Sequence, residues 1–201
     1  MLDKNPDVVL ERITEAKEII EKNTMNSILC YEPFVKTKFL SDLIKEFEVS
    51  IVYLDFDLMY SGYITAEMLP SLENVILFRP SRGDWDSILK TVLEKVSQEK
   101  CLVVVDSLNG FSNIFEGKYA GREINGYIML LVSMAKQTSS NVLFVSMARK
   151  NDEKEWVLSP TSRHILENKK MAKILLKKER SEFSLQILNE DNTVRDSVVL
   201  N

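Results

Sequence analysis

The chain has 201 residues, of which 45% are hydrophobic and 28% charged, enough apolar material for one domain-sized core. A formal net charge of -4 and a single histidine exclude a global field drawing the chain to nucleic acid or anionic membrane, and exclude a multi-histidine metal centre. No apolar segment reaches the roughly 20 residues of a bilayer span, and the start MLDKNPDVVLERITEAKEII is too charged for a secretory signal. The expectation is a cytoplasmic protein with no membrane partner.

The elements are taken in chain order. Val8, Val9, Ile13, Ala16, Ile19 and Ile20 recur at helical spacing and predict a helix over about 6–22, with Asp7 as its cap. Short β-rich runs then alternate with helical patterns. SILCY (27–31) precedes a helix over 36–47, SIVYLDF (50–56) precedes an irregular stretch, and NVILF (74–78) precedes a helix from Asp84 to Gln98. CLVVVD (101–106) leads through a glycine-containing loop to a helix over 122–138, and NVLFVSM (141–147) follows. Near-continuous apolar strands separated by helices imply a mostly parallel sheet with helices on both faces, an α/β fold.

The last third changes character. KKMAKILLKKE, EFSLQILNE and TVRDSVVL read as three successive strands over about 169–200, an antiparallel extension on one edge of the sheet. Their alternating lysines read as a solvated face. With no repeat or Gly/Ser linker, residues 1–201 form a single domain whose core spans about 25–150. Cys30 and Cys101 lack a zinc or redox spacing and read as small buried residues, and His164 as a surface or loop imidazole.

Open parallel sheets bind ligands beyond the carboxyl ends of their strands. LVVVDS places Asp106 at the top of a buried strand, where a carboxylate holds magnesium or its bound water; a cap for the following turn is the equally simple reading. Lys36-Thr37 stands at the start of the helix after the first of these strands, where a phosphate-binding lysine and a magnesium-binding threonine are found; a surface lysine and a helix-opening threonine are the alternative.

In order and spacing these segments resemble the RecA/RadA-type ATPase core, including the KaiC-like proteins, over about residues 22–190. CYEPFVKT stands where GxxxxGKT is expected, and IVYLDFD resembles the second core strand, with Asp57 at the catalytic glutamate. LENVILFRP, CLVVVDSLNGF and the stretch from GKYAGRE to NVLFVSM resemble the third strand ending in Arg79, the Walker B strand, and the loop, helix and fifth strand with Arg122 near the helix start. The resemblance implies a RecA-like P-loop NTPase core with first and fifth strands adjacent, so that Cys30 and Cys101 lie too far apart to bond.

The departures define the expected activity. Cys30 and Val35 replace both glycines of the loop and Pro33 stands in its middle. A β-branched residue in a glycine conformation costs about 1 to 3 kcal/mol, and proline removes a donor. Asp57 is one methylene shorter than glutamate, and Ser146-Met147-Ala148 replaces the family's polar sensor. Lys36, Thr37 and Asp106 are therefore read as a vestigial nucleotide site and Asp57 as a vestigial catalytic residue. No cofactor or metal is expected beyond ATP and magnesium at low affinity, the metal then falling to Thr37 and Asp106.

In the family, loops after the fourth and fifth strands contact single-stranded DNA. The second corresponds here to ARKNDEKEWVLSPTSRHILENKK, whose Arg149, Lys150, Lys154, Trp156 and Arg163 offer phosphate contacts and a stacking surface, diluted by Asp152, Glu153, Glu155 and Glu167. Three functions stand open. One is a non-catalytic RadA paralogue modulating DNA recombination or repair, through a recombinase or other RecA-fold partner, or on single-stranded DNA. A RecA-fold structural subunit of another assembly, comparable to the RecA-like subunits of Elongator, is the second. The third is a KaiC-like ATPase with an atypical loop. Each implies a homo- or hetero-oligomer.

Overall fold

Pro6 opens helix α1 (Pro6–Glu21), since its fixed φ suits a first helical position and its missing N-H would have had no partner there. Asp7 thus lies inside the first turn rather than capping it. Where α1 ends, Asn141 Nδ2 donates to the carbonyls of Ile20 (3.0 Å) and Asn23 (2.8 Å), and Asn26 Nδ2 to the same two, tying the helix to the strands beneath. The computed structural model describes residues 6–150, 156–158, 171–179, 182–189 and 193–200.

The alternating runs form β1 (Met25–Cys30), α2 (Pro33–Lys45), β2 (Ser50–Asp55), α3 (Met59–Thr65), β3 (Val75–Phe78) and α4 (Trp85–Gln98). They continue as β4 (Cys101–Asp106), α5 (Leu108–Asn113), α6 (Ala120–Gln137), β5 (Asn141–Lys150) and β6 (Trp156–Leu158), and close with β7 (Ala172–Glu179), β8 (Glu182–Leu188) and β9 (Val194–Leu200). The stretch after β2, read from sequence as irregular, contains α3, and the glycine-containing loop after β4 contains α5. Both helices carry a glycine and span two turns or fewer, too short to show a periodicity.

Among the described residues the sheet has nine strands in the order β3-β2-β4-β5-β1-β7-β8-β9, with β6 off this path and paired to β5. Pairings from β3 to β7 are parallel, and β7-β8-β9 run antiparallel, which is the C-terminal extension the charge pattern predicts. β1 lies beside β5 with β4 one strand further, and both cysteines are free and buried. One detail departs from the solvated-face reading: Lys173, next to the parallel core, is buried.

Side-chain parity sorts the strands between two cores. Ile51, Tyr53, Leu102, Val104, Leu143 and Val145 face α1, α2 and α3. Val52, Leu54, Val103, Val105, Val142 and Phe144 face α4, α5 and α6. Every residue of β4 is buried, and its apolar side chains divide between the two cores. The same parity puts Asp106, Tyr53 and Asp55 on the α2 side.

Candidate functional site

The site lies where β1, β2 and β4 end beneath the start of α2. Only Tyr31 and Glu32 separate β1 from α2, whose helical turn begins at Pro33. Pro33 sits at the head of the helix with Glu32 as N-cap, so the residues expected to form a glycine-type loop are already helical. The Lys36 N-H donates to the Glu32 carbonyl at 3.0 Å, the Thr37 hydroxyl to the Pro33 carbonyl at 2.9 Å, and the buried Cys30 thiol to the Glu32 carbonyl at 3.3 Å.

The Lys36 side chain turns inward and is 1% exposed. Its Nζ lies 2.5 Å from Asp106 Oδ1 and 3.2 Å from Asp57 Oδ2. The other Asp106 oxygen accepts the Tyr53 hydroxyl at 2.6 Å. One ammonium thus meets two carboxylates, and the inner carboxylate is bonded on both oxygens.

Burial pulls the Lys36 ammonium downward, but Asp106 and then Asp57 outweigh it and hold the group above the ordinary lysine value. Burial raises the Asp106 carboxyl, against the opposing pull of Lys36 and of the Tyr53 hydroxyl. The Tyr53 phenol is pushed well above its usual range by burial and by the Asp106 charge.

A second carboxylate ends β2. Asp55 is fully buried, pairs in register with Asp106, and accepts the Ser61 N-H at 2.7 Å through Oδ2. Its Oδ1 and the Tyr60 hydroxyl have no hydrogen-bond partner among the described residues. The Tyr60 ring stacks on Tyr53 with centroids 4.3 Å apart. Burial first, then Asp55, pushes the Tyr60 phenol up to about 12.

The far wall is α5. Ser107 caps it by accepting the Gly110 N-H at 3.1 Å, and the peptide between Asp106 and Ser107 is cis. Gly110 faces Phe56 and Asp57 so closely that a Cβ there would stand 2.8 Å from Phe56 Cβ and would overlap the Asp57 carboxylate. Asn109 Oδ1 accepts the Met147 N-H at 2.9 Å, fastening α5 to β5.

The structure brings together Lys36, Asp57 and Asp106 as the sequence suggests, with Thr37 one residue along the helix. Tyr53 was missed: it reads as one apolar member of a strand run, and its partner lies on another strand. Arg79 and Arg122 are exposed, and Arg79 lines an open pocket with Leu58 and Ser61 beside α3. Arg149, Lys150 and Trp156, expected in a loop, have their backbones in a β5-β6 hairpin that pairs Lys150 with Trp156. Lys154 and Arg163 lie outside the described residues, as does His164.

Comparison with solved structures places this geometry in a wider setting. The chain is similar to the RadB recombinase at 15% identity and a TM-score of 0.58, over 88% of this chain and 87% of that one. The fold is RecA-like. A DnaB-like replicative helicase aligns with this RecA-like chain at 14% identity and a TM-score of 0.58, over 92% of this chain and 57% of its own. A further solved ATPase domain aligns at 13% identity and a TM-score of 0.58, over 93% and 85% of the two chains. No protein-family model and no curated protein matches the sequence. Among the described residues, no helix is long and apolar enough to cross a membrane.

Proposed function

We propose that this chain is a RecA-fold protein whose nucleotide position is closed by its own side chains, and that it modulates DNA recombination or repair through protein partners or single-stranded DNA, with little or no ATP hydrolysis. The observation carrying the first half is the placement of Lys36 Nζ between Asp106 and Asp57. A lysine that serves phosphate must have its ammonium directed into the ligand cavity. Here it lies on the carboxylates, and other groups that would join it are occupied as well: the Lys36 N-H is spent on a helix carbonyl, and both Asp106 oxygens on Lys36 and Tyr53. These residues do not fit a magnesium-nucleotide complex as arranged. Binding would require breaking an internal ion pair and unwinding the first turn of α2 together.

The second half of the reading is supported by the likeness in fold to a recombinase and by Arg149, Lys150 and Trp156 gathered on one hairpin. Calorimetric titration with magnesium-ATP tests the closed site, and the expected result is no saturable heat at micromolar ligand. ATP turnover that Lys36→Met abolishes would overturn it. Salt-dependent binding to single-stranded DNA, or recovery of a recombinase on affinity purification from the native source, tests the role in recombination or repair. Recovery of a tRNA-modification complex instead would favour a RecA-fold structural subunit.

A further inference from the structure

β3 closes one end of the sheet and pairs with β2 alone among the described residues. None of its residues is buried, whereas every residue of β1 and β4 is. The pairing with β2 decides which backbone groups stay free. Ile51 faces Val75 and donates its N-H to the Asn74 carbonyl at 2.8 Å. In a parallel ladder that turns the backbone groups of Asn74, Ile76 and Phe78 towards β2, and those of Val75, Leu77 and Arg79 outward. The Val75 N-H is spent on the Leu72 carbonyl at 3.2 Å. The carbonyls of Val75 and Leu77 and the N-H groups of Leu77 and Arg79 are left on the edge, which makes it a template for another strand.

We infer that this edge takes the same edge of a second copy of this chain, the two β3 strands running antiparallel about a two-fold axis at Leu77. In that register Leu77 exchanges both its bonds with Leu77 of the second copy, and each Arg79 N-H donates to the Val75 carbonyl opposite, so every free group is used. Pro80, which has no donor, falls where none is needed. The side chains agree with the backbone. Val75 and Leu77 pack on the α3 side of the sheet and Phe78 on the α4 side, so Ile76, 38% exposed, meets Phe78 of the second copy on the α4 side. Charge selects the occupant. Glu73, in the turn that leads into β3, and Arg79, which lines the open pocket beside α3, are both exposed and have no ion-pair partner among the described residues. An inverted copy brings Glu73 beside Arg79 of the second copy at both ends, where opposite charges stabilise the pairing. A foreign segment would have to supply both signs in the reverse order, which a second copy does by symmetry. A ladder this short makes a small interface of the kind that holds weak, reversible complexes. It involves none of Lys36, Asp57 and Asp106, so the inference stands whether or not nucleotide binds.

Sedimentation equilibrium on the full chain, from about 10 µM to about 1 mM, should show a reversible monomer-dimer equilibrium. Amide hydrogen exchange then locates the contact. The Leu77 and Arg79 N-H groups should exchange at least about tenfold more slowly at the top of that range than at the bottom, while the Ile76 N-H, bonded to β2 in both states, should not change. Glu73→Arg should weaken the dimer about tenfold, because like charges then meet twice, and Glu73→Arg with Arg79→Glu should restore it. Both positions are exposed, circular dichroism checks that the variants fold, and the exchange pattern of the wild-type chain tests the contact without them. A chain that stays monomeric over the whole range overturns the inference. So does a series of higher species, which would mean pairing with a different edge, or a dimer whose Leu77 and Arg79 amides exchange as in the monomer. A charge reversal whose second half gives no recovery overturns it as well.

Discussion

Lys36 Nζ lies 2.5 Å from Asp106 Oδ1, and neither side chain reaches solvent. Removing one member of a buried pair leaves the other charge uncompensated, at about 3 to 5 kcal/mol. Lys36→Met should therefore destabilise the chain by that order in urea denaturation. Asp106→Asn keeps an acceptor for Tyr53 but loses the charge, and should also destabilise. The double variant strands no charge on Asp106, so it should cost well under the sum of the two. Strict additivity would show that the two groups do not interact as described.

Tyr60 gives the clearest pH dependence. Its phenol is raised to about 12 in the folded chain, against about 10 for an ordinary tyrosine. A raised folded value means that the native state holds the proton when the unfolded state has lost it. Stability is then complete below about pH 10 and falls as pH rises towards 12, by about 2 to 3 kcal/mol for this group. Lys36, also held above its ordinary value, adds loss on the same alkaline side. Because the Tyr60 hydroxyl is buried without a partner among the described residues, Tyr60→Phe should be neutral or slightly stabilising at pH 7 and should move alkaline unfolding to higher pH. Destabilisation at pH 7 would mean that the hydroxyl is bonded.

Gly110 is required by proximity. A methyl group there would stand 2.8 Å from Phe56 Cβ and 3.1 Å from the Phe56 carbonyl carbon, and would displace the Asp57 carboxylate. Backbone on that side leaves little room to give, so Gly110→Ala should cost about 1 to 3 kcal/mol, as overpacked sites do. It should also shift α5, read out as altered amide signals at Asn109 and Met147, which share a hydrogen bond. Wild-type stability would show that α5 can slide away freely.

How much of this was legible beforehand follows residue by residue. The buried runs around Val52, Val104 and Leu143 announce a parallel sheet because burial on both faces leaves no polar alternation to hide the strand. Asp106 and Lys36 were visible because each sits at an element boundary, where a charged residue after an apolar run stands out. Tyr53 and Tyr60 were not. Their roles come from stacking across an element boundary and from a carboxylate on a neighbouring strand, neither of which has a local sequence pattern. Pro33 was visible but assigned to a loop, when its fixed φ and missing donor equally mark the first turn of a helix.

That position of Pro33 leads to the last prediction. If the missing glycines alone prevented nucleotide binding, restoring them would bring it back. Val35 lies within the first turn of α2, two residues after Pro33, and is not in a left-handed conformation. Val35→Gly should therefore act as a helix-interior glycine, costing on the order of 0.5 kcal/mol, the difference in helix propensity between valine and glycine. It should create no micromolar affinity for ATP, nor should Cys30→Gly with Val35→Gly, because Lys36 still lies on Asp106 and Asp57. Calorimetry on both variants, beside their urea midpoints, separates the two causes. Saturable ATP binding by the double-glycine variant would mean that loop chemistry closes the site. No saturable binding is the expected result, and would place the closure in the ion pairs of Lys36.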